Sequence, residues 1–323
     1  MTTLSEQIIA KEAEHVLQVY KRIPIMFVRG QGSHLIDEHG QKYLDLLSGI
    51  GVASLGHAHT KLADIIGKQA HELLHTSNLY FHPLQAEVAS HLSRLSGLAR
   101  TFFCNSGTEA VEACLKFARR YWYSQGDKNR SGIVAFDGSF HGRTFGSLSV
   151  TSGEPYRTPF SPLLPGIRFV SPLDIDQINK AVTDQTAAVI VEPIQGEGGV
   201  RPIPTETAQA LADICSTTQT LLIADEVQCG LGRTGQPFYS SMLGLTPDLM
   251  ALGKALGAGI PIGAALLSEK VSSSVSYGDH GSTYGGNPLA CQAALVFLNA
   301  LEDGLIQRVA SAGERLRSGL KKL

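Results

Sequence analysis

Short, continuously apolar segments alternate with helical patterns over most of the chain beyond residue 61, and this alternation limits the folds open to it. The apolar segments lie at Thr101–Cys104, Ile133–Phe136, Ala187–Val191, Leu221–Ala224 and Asp248–Leu252. Helical patterns lie between several of them, notably at Glu109–Tyr121 and Glu206–Thr217. This order predicts an α/β fold with a mostly parallel sheet flanked by helices. We therefore expect a ligand site beyond the carboxyl ends of the strands.

The two ends of the chain predict a second, smaller unit. Residues 5–20 have helical spacing, and residues 33–45 read as a strand, a turn and a second strand. We assign residues 1–50 to the N-terminal part of a small α/β domain and residues 51–288 to the large domain. Residues 289–323 then form an interdomain helix and the incomplete start of the C-terminal part of the small domain.

Composition and charge exclude several classes of protein. The formal net charge is −2 with 17% charged residues, so no basic excess points to nucleic acid. The five cysteines form no C-x-x-C pair, and without a secretory signal they indicate free thiols in a reducing compartment. No stretch reaches membrane-spanning length without a charge or a proline. We expect a cytoplasmic protein that binds neither nucleic acid nor membrane, and His57-Ala58-His59 lacks the further ligands that a metal needs.

One lysine interrupts the apolar run that leads into the glycine-rich loop of residues 249–263. Lys254 follows Leu252-Gly253, so its ammonium form is expected to be poorly solvated. Poor solvation lowers the pKa of a lysine and leaves a free amine that attacks carbonyl groups. The alternative is a lysine whose stem lies on apolar surface while its ammonium reaches water.

Hydroxyl side chains and a glycine open the helix that follows Thr101–Cys104. Ser106, Gly107 and Thr108 lie at its N-terminus, where free backbone N–H groups and the helix dipole favour a phosphate. Glu109 stands three residues after Ser106, which is also the spacing of a simple helix cap. Both interpretations fit the sequence.

Three further predicted strands end in polar loops. Phe140 can stack on a flat heterocycle, and Arg143 in the same loop can bind a carboxylate. Glu197 lies in a glycine-rich loop, and Asp225 ends a buried strand, where a carboxylate needs a cation such as a protonated pyridine. Each alone also fits a solvated loop. A reactive lysine, a phosphate site, an aromatic ring and a strand-end aspartate together are what pyridoxal phosphate requires.

These motifs resemble those of the class III aminotransferases, which belong to the fold-type I pyridoxal-phosphate enzymes. The matching segments are Asn105–Ala110, Phe140–Thr144, Val191–Gly199, Asp225–Gln228, Gly232–Gly235 and Gly281–Pro288. They occur in family order, and the likeness covers nearly the whole chain. The resemblance implies the fold-type I transferase fold, pyridoxal 5'-phosphate as cofactor, and a homodimer whose subunits share each active site.

The resemblance also implies roles for matching residues. The implied cofactor-binding residues are Ser106, Gly107, Thr108, Phe140, Asp225, Gln228, Lys254 and the partner's Thr283. The implied substrate-binding residues are Arg143, Glu197, Tyr20 and the partner's Ser282. The catalytic residues are Lys254, which forms the Schiff base and moves the proton, and Asp225, which keeps the pyridine nitrogen protonated.

The implied reaction moves the δ-amino group of N2-acetyl-L-ornithine to 2-oxoglutarate in arginine biosynthesis, giving N-acetylglutamate 5-semialdehyde and glutamate. Ornithine, succinylornithine and carrier-bound lysine are alternative donors. The sequence also fits an aminomutase or a truncated, non-catalytic homologue. Chains of this family continue beyond the position that matches Leu323. Their additional segment contains an arginine that pairs with the residue matching Glu197. We therefore expect this chain to be either a fragment or a natural truncation.

Overall fold

A seven-stranded sheet forms the centre of the computed structural model, which describes residues 3–323. The strands are β1 (Phe27–Gln31), β2 (His34–Asp37), β3 (Lys42–Leu44), β4 (Arg100–Cys104), β5 (Gly132–Phe136), β6 (Ile167–Val170), β7 (Thr186–Val191), β8 (Ile194–Gln195), β9 (Arg201–Pro202), β10 (Leu221–Asp225), β11 (Leu249–Leu252) and β12 (Gly263–Leu267). The large sheet has the order β4-β12-β11-β10-β7-β5-β6. Strand β12 is antiparallel to both neighbours, and the other four adjacent pairs are parallel. The predicted mostly parallel sheet is confirmed.

Helices cover both faces of this sheet. They are α1 (Leu4–His15), α2 (Ser48–Gly51), α3 (Thr60–Glu72), α4 (Pro83–Ser96), α5 (Gly107–Ser124), α6 (Phe145–Ser149), α7 (Glu154–Arg157), α8 (Ile175–Ala181), α9 (Thr205–Thr218), α10 (Tyr239–Met242), α11 (Glu269–Ser272), α12 (Pro288–Ala300) and α13 (Ile306–Leu320). Helix α5 packs on one face. On the other face, α4 and α12 cover one half and α8 and α9 cover the other half. Strand β7 is buried along its whole length, as a strand covered on both faces must be.

Five of the seven sheet strands lie where the apolar segments predict them, with ends that differ by at most one residue. The prediction misses β6 and β12. Strand β6 lies at the edge of the sheet and carries an exposed arginine, Arg168, so it lacks a continuous apolar run. Strand β12 is fully buried, but its glycine start merges with the preceding glycine and proline loop.

The N-terminal region forms its own three-stranded sheet, β1-β2-β3. The predicted hairpin is present as β2 and β3, and β1 adds an antiparallel strand. Helix α1 ends five residues before the predicted position at residue 20. Val16 leaves the helical region there, and the Gln18 side-chain amide donates to the carbonyls of Glu12 and Val16, at 3.0 and 2.6 Å. Gln18 thereby gives the Val16 carbonyl a donor that a longer helix would have supplied internally.

The helical run Pro288–Leu320 is long and apolar enough to cross a membrane by length and composition alone. Its first part, α12, instead belongs to the protein core. Nine of the 13 residues of α12 are buried, and six of them pack in the same cluster as β11 and β12. Helix α13 has no buried residue. The apolar character of the run is therefore concentrated in the helix that covers the sheet.

Candidate active site

A cavity of about 230 Å³ lies beyond the carboxyl ends of the parallel strands. It is lined by Gly107, Thr108, Phe140, His141, Gly142, Arg143, Glu192, Gly196, Glu197, Asp225, Val227, Gln228 and Lys254. These residues come from the start of α5 and from the loops after β5, β7, β10 and β11. The structure therefore gathers around one cavity the polar clusters that follow five separate strands in the sequence.

Lys254 lies on a sharply bent backbone at the end of β11. Its φ is +41°, a left-handed conformation that costs a residue with a side chain of order 1 kcal/mol or more. The preceding Gly253 allows close contact with α5, because a Cβ there would lie 3.0 Å from the Gly107 backbone. Lys254 Nζ contacts Gln228 Oε1. Burial lowers the pKa of Lys254, although Asp225 and other nearby acids oppose that shift.

Asp225 ends β10 and forms a buried pair with His141. Its Oδ2 lies 2.7 Å from His141 Nδ1, and its Oδ1 accepts the Val227 N–H at 3.1 Å. The side chain of His141 is fully buried, and within residues 3–323 its Nε2 has no hydrogen-bond partner. The sequence predicts Asp225 but not His141, since one histidine in a loop gives no signal of its burial.

Glu192 is a second buried acid of the cavity, 4% exposed, and it is not among the predicted site residues. Its Oε1 accepts the Phe140 N–H at 2.8 Å, and its Oε2 accepts the Gly196 N–H at 3.1 Å. Burial raises the pKa of Glu192 to about 7, and the charge of Asp225 acts in the same direction. One carboxyl group thus joins the loop that carries Phe140 to the loop that carries Glu197.

The start of α5 combines both interpretations of its sequence. Ser106 Oγ accepts the Glu109 N–H at 3.3 Å and donates to Glu109 Oε2 at 2.9 Å, so the helix cap is present. Thr108 Oγ1 contacts the hydroxyl of Ser147 at 2.6 Å. Gly107 and Thr108 also line the cavity. The backbone N–H groups of a first helical turn have no acceptor within the helix, so they remain able to bind an anion.

Phe140 and Arg143 line the cavity from the loop after β5. The Arg143 guanidinium lies 5.4 Å from the Phe140 ring centroid and 4.0 Å from that of Tyr156. Glu197 lines the cavity from the loop after β7 and is exposed, and no salt bridge joins it to another residue of the described chain. The cavity therefore presents one cation and one exposed acid at its mouth.

Four of the predicted site residues do not line this cavity within one chain: Ser106, which caps α5, and Tyr20, Ser282 and Thr283. Ser282 Oγ accepts from the Gly285 N–H at 3.0 Å and from Asn105 Nδ2 at 3.4 Å, and Thr283 is exposed. Tyr20 is 71% exposed and lines a separate cavity of about 270 Å³ beside α1. Thr283 and Ser282 were expected to act from the partner subunit, so their position within one chain does not test that expectation.

Comparison with known proteins defines the family. The sequence model of class III aminotransferases matches residues 16–323. The chain belongs to the class III aminotransferases. An acetylornithine aminotransferase of Methanocaldococcus jannaschii is 46% identical over 90% of this chain and 73% of the relative. That of Aquifex aeolicus is 46% identical over 96% of this chain and 82% of the relative.

Solved structures of class III relatives share the fold. An ornithine aminotransferase of Toxoplasma gondii superposes with a TM-score of 0.92 at 31% identity, covering 99% of this chain and 76% of the other. An acetylornithine aminotransferase of Elizabethkingia anophelis gives a TM-score of 0.86 at 31% identity, covering 99% of this chain and 79% of the other. The chain is thus a transaminase of the fold-type I class.

Class III aminotransferases depend on pyridoxal phosphate, and the cavity of this chain fits that cofactor. Lys254 offers an amine whose pKa is lowered by burial. Asp225 is a buried acceptor, 4% exposed, for a protonated ring nitrogen. Phe140 supplies an aromatic face, and the 18-residue helix α5 directs its N-terminus at the cavity for a phosphate. The amine, the acceptor, the aromatic ring and the anion site surround one space.

Proposed function

We propose that this transaminase moves the δ-amino group of N2-acetyl-L-ornithine to 2-oxoglutarate, as a step of arginine biosynthesis in the cytoplasm. The observation that carries the proposal is Lys254, a half-buried amine that lines one cavity with Asp225, in a chain 41–46% identical to eight acetylornithine aminotransferases. Ornithine aminotransferases among the solved relatives make ornithine the second candidate donor.

The cofactor-binding roles follow from what each residue offers. Asp225 accepts from the ring nitrogen and keeps it protonated, because a buried carboxylate favours a cationic neighbour. Gln228 meets the ring hydroxyl, and Phe140 stacks on the ring. The phosphate accepts from backbone N–H groups at Gly107 and Thr108. Ser106 contributes through its backbone, since its hydroxyl is occupied by Glu109.

Lys254 is the residue that moves the proton. Pyridoxal phosphate, when bound, holds the amino group and withdraws electrons from the carbon beside it. Lys254 Nζ would take the proton from the amine-bearing carbon of the donor and pass it to the C4′ carbon of the cofactor rather than back to the donor. Burial lowers the pKa of Lys254, which favours the neutral amine that a base requires.

The substrate roles use the cavity mouth and a second subunit. Arg143 binds the donor's carboxylate, and Glu197 and Tyr20 border the substrate. Ser282 and Thr283 act across the interface: the partner's Ser282 meets the acyl-ornithine, and the partner's Thr283 meets the phosphate. Within one chain Thr283 is exposed and has no contact with the cavity, which is consistent with a role in the neighbouring site.

An exposed apolar surface beside Thr283 supports the homodimer. Leu79 is 85% exposed, and Phe81 is fully exposed. Asn78 ties this segment to the loop of Thr283, because its Nδ2 donates to the carbonyls of Ser282 and Gly285 at 3.0 Å each. Large contiguous apolar surface on a soluble protein marks an interaction site. A second copy covering this surface would bring the loop of Thr283 to its partner's cavity.

The experiment compares donors on one preparation. Purified protein loaded with pyridoxal phosphate is mixed with equal concentrations of N2-acetyl-L-ornithine, N2-succinyl-L-ornithine or L-ornithine, and the visible absorption of the bound cofactor is followed. Glutamate production from 2-oxoglutarate is measured in parallel. We expect the acetylated donor to bleach the absorption and to give the highest kcat/KM. An unchanged spectrum with acetylornithine, or a higher kcat/KM for ornithine, would overturn the proposal.

A further inference from the structure

Aromatic rings, rather than hydrogen bonds, hold the guanidinium of Arg143. It lies 4.0 Å from the centroid of Tyr156 and 5.4 Å from that of Phe140. Within residues 3–323 the guanidinium donates no hydrogen bond and forms no salt bridge; the hydrogen bond that Arg143 donates comes from its backbone N–H. An aromatic face attracts a cation without using its N–H donors. All five donors of this arginine therefore remain available to a ligand.

Tyr156 is itself held by its surroundings. It lies on the short helix α7, where its N–H donates to the Gly153 carbonyl at 3.0 Å. Gly153 leaves space for the ring, since a Cβ there would lie 2.8 Å from Tyr156 Cδ2. The next residue, Arg157, stacks on Phe169 of β6 at 4.4 Å. The edge strand β6 thus supports the short helix that carries Tyr156.

We propose that Tyr156 is a positioning residue for the donor's carboxylate. Its ring orients Arg143 so that two guanidinium nitrogens face the carboxylate together, the bidentate geometry that gives arginine its selectivity. A carboxylate of the protein at this position would compete with the donor, whereas a ring does not. Phe140 lies farther from the guanidinium than Tyr156 does, and in the proposed function it stacks on the cofactor ring. The role of Arg143 in carboxylate binding rests on that proposed function.

The test measures binding without turnover. The probe is N2-acetyl-L-norvaline, which keeps the acyl group and the carboxylate of acetylornithine but has no δ-amine. Its Kd for the cofactor-loaded protein is measured by calorimetry for wild type, Tyr156→Leu and Tyr156→Phe. We expect the Kd to rise about three- to fivefold in Tyr156→Leu, the size of one exposed cation–π contact. Tyr156→Phe keeps the ring and is expected to restore most of the affinity.

Two controls separate positioning from general damage. Tyr123→Leu removes another exposed tyrosine that lies beneath two cations, Arg120 and Lys128, at the far end of α5, and it should leave the Kd unchanged. N-acetyl-1,4-diaminobutane is acetylornithine without the carboxylate. Its apparent KM should be the same in wild type and Tyr156→Leu.

The outcomes divide clearly between the two proposals. The positioning role is wrong if Tyr156→Leu binds N2-acetyl-L-norvaline with the wild-type Kd, or if the Kd of Tyr156→Phe is as high as that of Tyr156→Leu. It is also wrong if Tyr156→Leu raises the apparent KM for N-acetyl-1,4-diaminobutane by the same factor as the Kd. If binding of N2-acetyl-L-norvaline depends on the Tyr156 ring but the wild-type protein does not turn over acetylornithine, the positioning role stands and the proposed function fails.

Discussion

The cavity around Lys254 and the surface around Thr283 differ in how far one chain completes them. In the cavity, Asp225 and Glu192 each have hydrogen-bond partners on other loops of the same chain. On the surface, Thr283 is exposed beside large apolar side chains such as Phe81. The first region is therefore ordered by folding alone. The second acquires its contacts only when another molecule covers it, as the proposed dimer requires.

The largest expected effect comes from removing the amine inside the cavity. Lys254→Ala removes the group proposed to move the proton, so we expect turnover to fall by about 10⁴-fold or more. The cofactor should also dialyse away more easily, which absorption spectroscopy measures. Lys270→Ala is the matched control, because Lys270 pairs with Asp248 at the opposite end of β11. Similar losses in both variants would contradict the role of Lys254.

The next prediction tests the surface by combining two inactive chains. Thr283→Asp places a carboxylate against the partner's phosphate site and should lower turnover by about 100-fold through charge repulsion and the loss of a donor. Co-expressed Lys254→Ala and Thr283→Asp chains form mixed dimers in which one of the two sites is intact. We expect about a quarter of wild-type activity from a random mixture of such dimers.

A cavity that used the Thr283 of its own chain would give a different result for the same mixture. No mixed dimer would then contain an intact site, and activity would stay at the level of the separate variants. The measurement is specific activity at equal expression of both chains, checked by mass spectrometry. No recovery would show that the surface and the cavity work independently.

A third prediction tests the internal partners of the cavity. His141→Leu leaves the buried Asp225 with only the Val227 N–H, so we expect the free energy of unfolding to fall by about 3 kcal/mol. Added pyridoxal phosphate should reduce this loss, because its ring nitrogen gives Asp225 a new partner. His91→Leu is the control, since His91 pairs with Glu302 near the surface and should cost less than about 1 kcal/mol. Denaturant unfolding with and without cofactor measures both, and equal losses would contradict the prediction.

The sequence predicts the cavity better than it predicts the partners of its residues. Lys254 and Asp225 are recognisable because each is a charged residue next to a buried strand, where only a ligand or an opposite charge makes it stable. Glu192 also follows a buried strand, β7, but its hydrogen-bond partners cannot be predicted, because the Phe140 N–H lies on another loop that only the sheet order brings close. His141 lies within a loop and has no such local signal. The antiparallel return of β12 is hidden because its glycine start merges with the preceding loop, and because one of its two neighbours, β4, is distant in the chain.

The smallest expected effect concerns the pH dependence of Glu192, which joins two loops of the cavity. Its pKa is raised from 4.5 to about 7 by burial, so the folded protein keeps a proton that the unfolded chain has already lost in that range. The contribution of Glu192 to stability is therefore fully present below pH 4.5 and is lost as the pH rises toward 7, by up to about 3 kcal/mol.

Glu192→Gln isolates this contribution, because a glutamine cannot ionise. Relative to wild type, we expect the variant to gain stability as the pH rises from 5 to 8, even though its amide can accept only one of the N–H groups of Phe140 and Gly196. Denaturant unfolding of cofactor-free protein at several pH values measures the difference. A difference that is constant with pH would mean that Glu192 ionises normally and that the two loops are joined by a charged group throughout.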